Sequence, residues 1–117
     1  MTTHEHPFDA ELADDGGFRL WTDLEVDPPT IGVAGELDLL TCAAFREAMA
    51  LVCDSGAAVV ALDFSRLTFM GSTGLREIGR ALKRLDRVEI HAPTPAVRTV
   101  LEMINLGPRV IVMPSSK

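Results

Sequence analysis

A valine-rich run followed by an amphipathic helical pattern is the feature that most limits how this chain can fold. Residues 57–62 (AAVVAL) are continuously apolar, which is typical of a central strand in a sheet. From Ser72 onward, apolar residues recur every three or four positions, as on one face of a helix. Shorter apolar strands are predicted at 88–92 and 109–113, with a helical pattern between them. Strands that alternate with helices indicate an α/β fold with a largely parallel sheet.

The first part of the sequence predicts a hairpin instead. Apolar and polar residues alternate over 18–26, and a second strand is predicted over 30–34. Asp27-Pro28-Pro29 between them cannot continue a strand ladder and indicates a turn. The predicted fold is therefore α/β, with a mostly parallel sheet of about five strands, an initial antiparallel hairpin and three to four helices.

Three helices are placed by their capping residues. The first is predicted from Thr41 to about Asp54, and the second begins at the Ser72-Thr73 pair. Thr94-Pro95 begins the third, and Gly107-Pro108 ends it. The inward face of the second helix is expected to carry four apolar residues, Leu75, Ile78, Leu82 and Leu85.

The chain is predicted to form one domain over residues 17–114, preceded by a flexible acidic tail at 1–16. The tail has neither a basic start nor an apolar stretch, so it does not resemble a secretory signal. No apolar run approaches the roughly 20 residues that a membrane span needs. A cytoplasmic protein without a membrane span is therefore expected.

The charge is unevenly distributed along the chain. The net charge is −6, but residues 1–65 carry 13 acidic and 2 basic side chains, whereas 66–117 carry 4 acidic and 9 basic ones. General nucleic-acid binding needs a dominant basic surface, so direct nucleic-acid binding is not expected. The split favours a protein partner that docks mainly on one half of the domain.

Residues for catalysis are sparse. His91 is the only histidine outside the tail, and no serine–histidine–aspartate set is evident. The glycines around Ser72 match neither of the common phosphate-binding loops, and no closed set of zinc ligands is present. The sequence therefore predicts a protein that is not an enzyme and that carries no cofactor and no metal.

Residues 71–74 (GSTG) lie where a loop meets a helix amino terminus. Backbone N–H groups there lack helical partners, and the helix dipole favours an anion, so a phosphoryl group on Ser72 would be well placed. The alternative is that Ser72 or Thr73 is only the N-cap of the helix.

Three segments of the sequence resemble the STAS domains of bacterial anti-sigma factor antagonists. They are Gly35-Glu36-Leu37-Asp38, Asp63-Phe64-Ser65, and above all Phe69-Met70-Gly71-Ser72-Thr73-Gly74-Leu75. The resemblance extends over about residues 18–113. It implies that an anti-sigma factor with serine kinase activity binds the unphosphorylated domain and phosphorylates Ser72. It also implies that a serine phosphatase reverses this step.

The family usually has aspartate where this chain has Gly71, so a carboxylate is missing while the acceptor hydroxyl of Ser72 is kept. Thr73 matches the family's second hydroxyl and is the secondary candidate for phosphorylation. The partner-binding surface is expected at two strand-to-helix junctions. Its predicted residues are Gly35, Glu36, Asp38, Gly71, Ser72, Thr73, Gly74 and Arg76.

Two other functions remain open at this point. STAS domains also serve as cytoplasmic accessory subunits of membrane lipid or anion transporters, since a fold does not determine a role. Gly71 also permits an unphosphorylated module that binds its partner constitutively. A monomer or weak dimer is expected in each case.

Overall fold

An antiparallel hairpin begins the sheet. In the computed structural model, which describes residues 17–114, β1 (Arg19–Asp23) pairs with β2 (Thr30–Leu37), and Leu20 faces Val33 across the pair. The predicted tail at 1–16 lies outside the described residues, so it and the proposed domain boundaries stay predictions.

Helices alternate with strands through the rest of the described chain. The remaining elements are α1 (Cys42–Asp54), β3 (Val59–Met70), α2 (Ser72–Ala81), β4 (Arg87–His91), α3 (Pro95–Met103) and β5 (Val110–Met113). The strands lie side by side in chain order, and every pair from β2 to β5 is parallel. The predicted five-stranded mixed sheet with an initial hairpin and three helices is confirmed.

The core lies between the helices and one face of the sheet. Ile31, Leu62 and Ile90 are aligned in register across three strands, and each is fully buried. Phe45 of α1 packs against Phe64 of β3, with ring centroids 6.4 Å apart. Burying each such side chain contributes about 1.5–3 kcal/mol, so this layer supplies most of the stability that holds the loops in place.

Two strands are longer than the sequence predicts. β2 continues through Leu37 and β3 continues through Met70, although loops are expected at 35–38 and 65–71. The two extensions pair with each other and contain register shifts, one of them between Gly35 and Glu36. Because the register shifts interrupt the alternation of apolar and polar residues, the sequence pattern does not predict these extensions.

Two helices end earlier than predicted. α2 stops at Ala81, while Leu82 and Leu85 remain buried in the turn that follows. α3 stops at Met103, because Ile104 already has an extended backbone and a half-exposed side chain. No helix within residues 17–114 has the length and apolar character needed to cross a bilayer.

Gly35 of β2 lies against the residues that immediately precede β1. Its φ of +94° lies in the left-handed region, and a Cβ atom there would stand 2.9 Å from the Cα atom of Phe18. Gly56 has a similar φ of +89°, but a Cβ atom there would meet nothing within 4 Å. An alanine at either position would suffer backbone strain, but only an alanine at position 35 would also overlap neighbouring atoms.

Gly56→Ala is expected to lower the free energy of unfolding by about 1–2 kcal/mol, which is the cost of a left-handed alanine. Gly35→Ala should cost about 1–3 kcal/mol more, because the added methyl group also overlaps the Phe18 backbone. Urea denaturation of both variants measures the difference. Equal losses would show that the chain at Phe18 moves away without cost.

Candidate functional site

The ends of β2 and β3 meet the start of α2 at one edge of the sheet. The Gly71 N–H donates to the Leu37 carbonyl oxygen at 3.0 Å, and Leu37 pairs in register with Met70. Gly74 lies directly under Leu37, since a Cβ atom on it would stand 2.9 Å from the Leu37 Cδ2 atom. Glycine at position 74 thus allows α2 to begin in contact with β2.

The segment after β2 is held by its own side chains. The Asp38 carboxylate accepts hydrogen bonds from the backbone N–H groups of Leu40 at 3.0 Å and Thr41 at 3.3 Å. The Thr41 hydroxyl donates to the Glu36 carbonyl oxygen at 2.8 Å and accepts from the Asp38 N–H at 3.0 Å. Asp38 and Thr41 therefore fix the loop that leads into α1, and they do so through one of the two Asp38 carboxylate oxygens.

Gly71 is the N-cap residue of α2, and Ser72 is the first helical residue. The alternative interpretation, that Ser72 or Thr73 is only the N-cap, is wrong, because both residues lie within the helix and no side chain caps it. The backbone of Gly71 is extended, with φ −92° and ψ −177°, so the chain turns into the helix one residue earlier than predicted. The Ser72 side chain is exposed and has no hydrogen-bond partner within residues 17–114.

Thr73 is held more firmly than Ser72. It is half-buried, and its carbonyl oxygen accepts a hydrogen bond from the Cys42 thiol of α1 at 3.5 Å. Burial raises the pKa of the Cys42 thiol above its ordinary value, so the sulfur keeps its proton at neutral pH. This contact ties the first turn of α2 to the first residue of α1.

The structure brings the two predicted binding segments together, since Leu37 lies between Glu36 and Asp38 and contacts Gly71 and Gly74. Their accessibility differs along the site. Exposed members are Glu36, Ser72 and Arg76, half-buried members are Gly35, Asp38, Gly71 and Thr73, and the buried member is Gly74. Gly35 and Gly74 shape the site, whereas the three exposed side chains are available for contact.

Three exposed apolar residues beside the site were not predicted. Leu39 and Leu40 are 76% and 83% exposed, and Phe69 is 48% exposed. The Phe69 ring lies next to Gly71, at 3.5 Å from the position of a Cβ atom there. Two adjacent leucines in a polar loop are the sequence signal that identifies such a patch. Exposed apolar groups of this kind commonly anchor protein partners.

Arg76 and Arg80 of α2, and Arg84 in the turn after it, differ in their ion pairs. Arg80 pairs with Glu77 at 3.4 Å, and Glu77, although only 3% exposed, also pairs with Arg46 of α1 at 3.0 Å. Arg84 pairs with Asp54 at 2.7 Å. Arg76 has no ion pair to any acidic residue in the described part of the chain. Arg84 therefore connects the turn after α2 with α1, whereas Arg80 pairs within α2 and Glu77 connects α2 with Arg46 of α1.

His91 lies at the end of β4, and its side chain pairs with a carboxylate rather than with a hydroxyl or thiol. Its Nε2 atom is 3.1 Å from Oε1 of Glu89, and the other carboxylate oxygen of Glu89 accepts from Arg87. Burial alone would raise the pKa of Glu89, but the hydrogen bonds from His91 and Arg87 lower it. Within residues 17–114 no three His, Cys, Asp or Glu side chains are grouped to hold a metal ion.

Comparison with known proteins gives one family and several similar folds. The family model described as "Mlab, STAS domain" matches residues 21–113. A search of curated proteins finds no significant match.

The solved structures that resemble this chain include three of particular interest. An anti-sigma factor antagonist from Mycobacterium paratuberculosis has a TM-score of 0.74 and 22% identity, over 85% of this chain and 87% of its own. Unphosphorylated SpoIIAA, an anti-sigma factor antagonist, has a TM-score of 0.68 and 23% identity, over 80% and 86%. Phosphorylated SpoIIAA, a Bacillus cell fate determinant, has a TM-score of 0.59 and 24% identity, over 80% and 89%. At these identities the likeness establishes a shared fold.

Replacing Gly71 with aspartate is expected to stabilise the protein. The backbone at position 71 is compatible with any residue, and the nearest atom to an added Cβ is 3.5 Å away. The carboxylate would cap α2 and meet its dipole, and the unfolded chain would lose freedom, for a gain of about 1 kcal/mol. Denaturant unfolding measures this gain.

Gly71→Ala is the matched control, because it restricts the unfolded chain without supplying a capping oxygen. An aspartate variant no more stable than the alanine variant would show that the carboxylate does not reach the helix terminus.

Proposed function

Because this chain belongs to the STAS domain family, we propose that it acts as an anti-sigma factor antagonist, a binding protein rather than an enzyme. It binds an anti-sigma factor with serine kinase activity in the cytoplasm, and phosphorylation of Ser72 releases it. The observation that carries this proposal is the exposed Ser72 hydroxyl, unbonded among residues 17–114 and adjacent to the Glu36–Asp38 segment. The anti-sigma factor antagonists with the same fold support the role.

Ser72 is a better phosphoryl acceptor than Thr73 on geometric grounds. A kinase must bring the acceptor hydroxyl into its own active site, which requires an exposed side chain that no intramolecular bond retains. Ser72 meets this requirement within the described residues, whereas Thr73 is half-buried beside Cys42. Because residue 71, which immediately precedes the helix, has no side chain, it does not obstruct access of a kinase to the Ser72 hydroxyl.

The free protein accommodates a phosphate at position 72. Phosphorylation adds a charge of about −1.5 to −2, and the amino-terminal end of α2 favours an anion by about 0.3–1 kcal/mol. Arg76 lies four residues further along α2, on the same helix face, and has no other ion pair within residues 17–114. A phosphate on Ser72 would therefore be partly neutralised locally, and the fold would stay intact.

The same phosphate opposes binding. Ser72 lies beside the apolar patch of Leu39, Leu40 and Phe69, so a partner that covers this patch also covers the phosphate. Removing an incompletely paired charge from water costs several kcal/mol. A penalty of about 3 kcal/mol corresponds to a roughly hundredfold loss of affinity. The switch thus acts at the interface rather than on folding.

Gly71 changes the electrostatics of the site compared with the family pattern. The aspartate that usually precedes the serine is absent, and Asp38 is half-buried with one carboxylate oxygen bonded to the N–H groups of Leu40 and Thr41. Glu36 is the exposed acidic side chain of the site and is therefore more accessible to a kinase or phosphatase. We therefore assign Glu36 the role of a recognition residue.

The phosphorylation switch is tested with Ser72→Ala and Ser72→Asp, measured by titration calorimetry against the anti-sigma factor that copurifies with the protein. Ser72→Ala is expected to bind like the wild type, and Ser72→Asp about a hundredfold more weakly. Thr99→Asp, which places the same charge on the exposed surface of α3, should leave the affinity unchanged. Circular dichroism checks that all three variants are folded.

Three outcomes would contradict parts of this proposal. Equal affinities of the alanine and aspartate variants would remove Ser72 as the switch. Binding that survives incubation with the kinase and ATP would instead indicate a constitutive module. Copurification with a membrane transporter ATPase would identify the protein as a transporter subunit.

The apolar patch gives a separate prediction. Leu39→Ser combined with Leu40→Ser is expected to weaken partner binding at least tenfold, because buried apolar anchors contribute about 1–2 kcal/mol each. Leu51→Ser and Met103→Ser, at 42% and 75% exposure elsewhere on the surface, are the controls and should bind normally. Unchanged affinity of the double leucine variant would place the partner elsewhere.

A further inference from the structure

A groove with an apolar floor and a basic rim runs between α2 and the segment that follows α3. Its volume is about 510 Å³. The groove is lined by Leu75, Arg76, Gly79, Arg80, Lys83, Ile104 and Leu106. The lining includes three cationic side chains and no acidic one. Such a groove fits an acidic peptide that carries apolar side chains.

The charges around the groove leave its rim positive. Arg80 is partly neutralised by Glu77, which is buried and faces α1 through its pair with Arg46. Arg76 and Lys83 form no ion pair with any acidic residue from 17 to 114. Glu102 lines a neighbouring cavity that shares Ile104 and Leu106 with the groove, but it does not line the groove itself.

The chain itself contains a segment of complementary chemistry. Residues 1–16 carry five acidic side chains, Glu5, Asp9, Glu11, Asp14 and Asp15, and neither lysine nor arginine. Two apolar residues, Phe8 and Leu12, stand four positions apart among them.

The segment joins the described chain beside the part of β2 that leads to α2. The Gly17 carbonyl oxygen is 3.1 Å from the position of a Cβ atom on Gly35, and Leu37, two residues further along β2, contacts the start of α2. Sixteen extended residues span about 50 Å, which exceeds the 37 Å longest dimension of the molecule. Residues 1–16 therefore have ample length to reach Arg76 and the groove beyond it.

We propose that residues 1–16 bind this groove in the free protein, as an intramolecular ligand. Phe8 and Leu12 contact the floor formed by Leu75, Ile104 and Leu106, while the acidic side chains neutralise Arg76 and Lys83. The bound segment lies about one helical turn from Ser72 and competes with any acidic partner that approaches α2. This inference goes beyond the antagonist function and is tested on the protein alone.

The test is amide and methyl NMR on the full chain. Wild-type protein is expected to show nuclear Overhauser contacts between the Phe8 ring and the methyl groups of Ile104 or Leu106. Replacing the five acids of 1–16 by their amides should abolish these contacts and shift the Gly79 and Leu106 amide signals. Moderate salt should weaken the contacts, because exposed ion pairs are screened.

Variants of the rim provide the matched control. Arg76→Gln with Lys83→Gln should also abolish the contacts, whereas Arg19→Gln with Arg66→Gln, which removes two exposed cations outside the groove, should keep them. Absence of the Phe8 contacts in wild-type protein, or unchanged groove signals in the amide variant, would overturn the proposal. So would contacts that appear only at high protein concentration, because the segment would then bind a second molecule.

Discussion

The close approach of β2 to α2 at Leu37 is the constraint on which the candidate site depends. The Leu37 carbonyl oxygen accepts the Gly71 N–H, and the Leu37 side chain occupies the space that a side chain on Gly74 would need. Because Leu37 lies between Glu36 and Asp38, this contact places the end of β2 beside the amino terminus of α2. Ser72 owes its position next to the predicted binding segment to this one contact.

A second set of contacts keeps α2 aligned with α1. Glu77 is almost fully buried and pairs with Arg46 and Arg80, and the Cys42 thiol bonds the Thr73 carbonyl oxygen. A buried carboxylate is tolerated only where it is paired, so Glu77 fixes the separation of the two helices more than it adds stability. These contacts hold the initial turns of the two helices together close to Ser72.

The sequence predicted the order of the elements, but not the local details of the candidate site. Binary patterns identify strands and helices because burial of one face dominates their energetics. The extensions of β2 and β3 depend on pairing across irregular register, and the N-cap position depends on the backbone angles of Gly71, so neither follows from a pattern. The pairing of Arg84 with Asp54 likewise joins residues 30 positions apart, which only the folded chain brings together. Exposed Leu39 and Leu40 were detectable in principle, as adjacent leucines in a polar loop.

Glycine at position 71 is not required by the fold, in contrast to Gly35 and Gly74. Its extended backbone suits any residue, and an added Cβ atom would make only an ordinary contact with the Phe69 ring, so the fold does not demand glycine at this position. Under the proposed function, selection on residue 71 acts through the enzymes that would modify Ser72, which either recognise a carboxylate there or do not. On that proposal, recognition by a particular kinase can change through a substitution at this residue while the fold is preserved. Substitutions at position 71 can thus alter how related proteins are regulated without passing through a sequence that fails to fold.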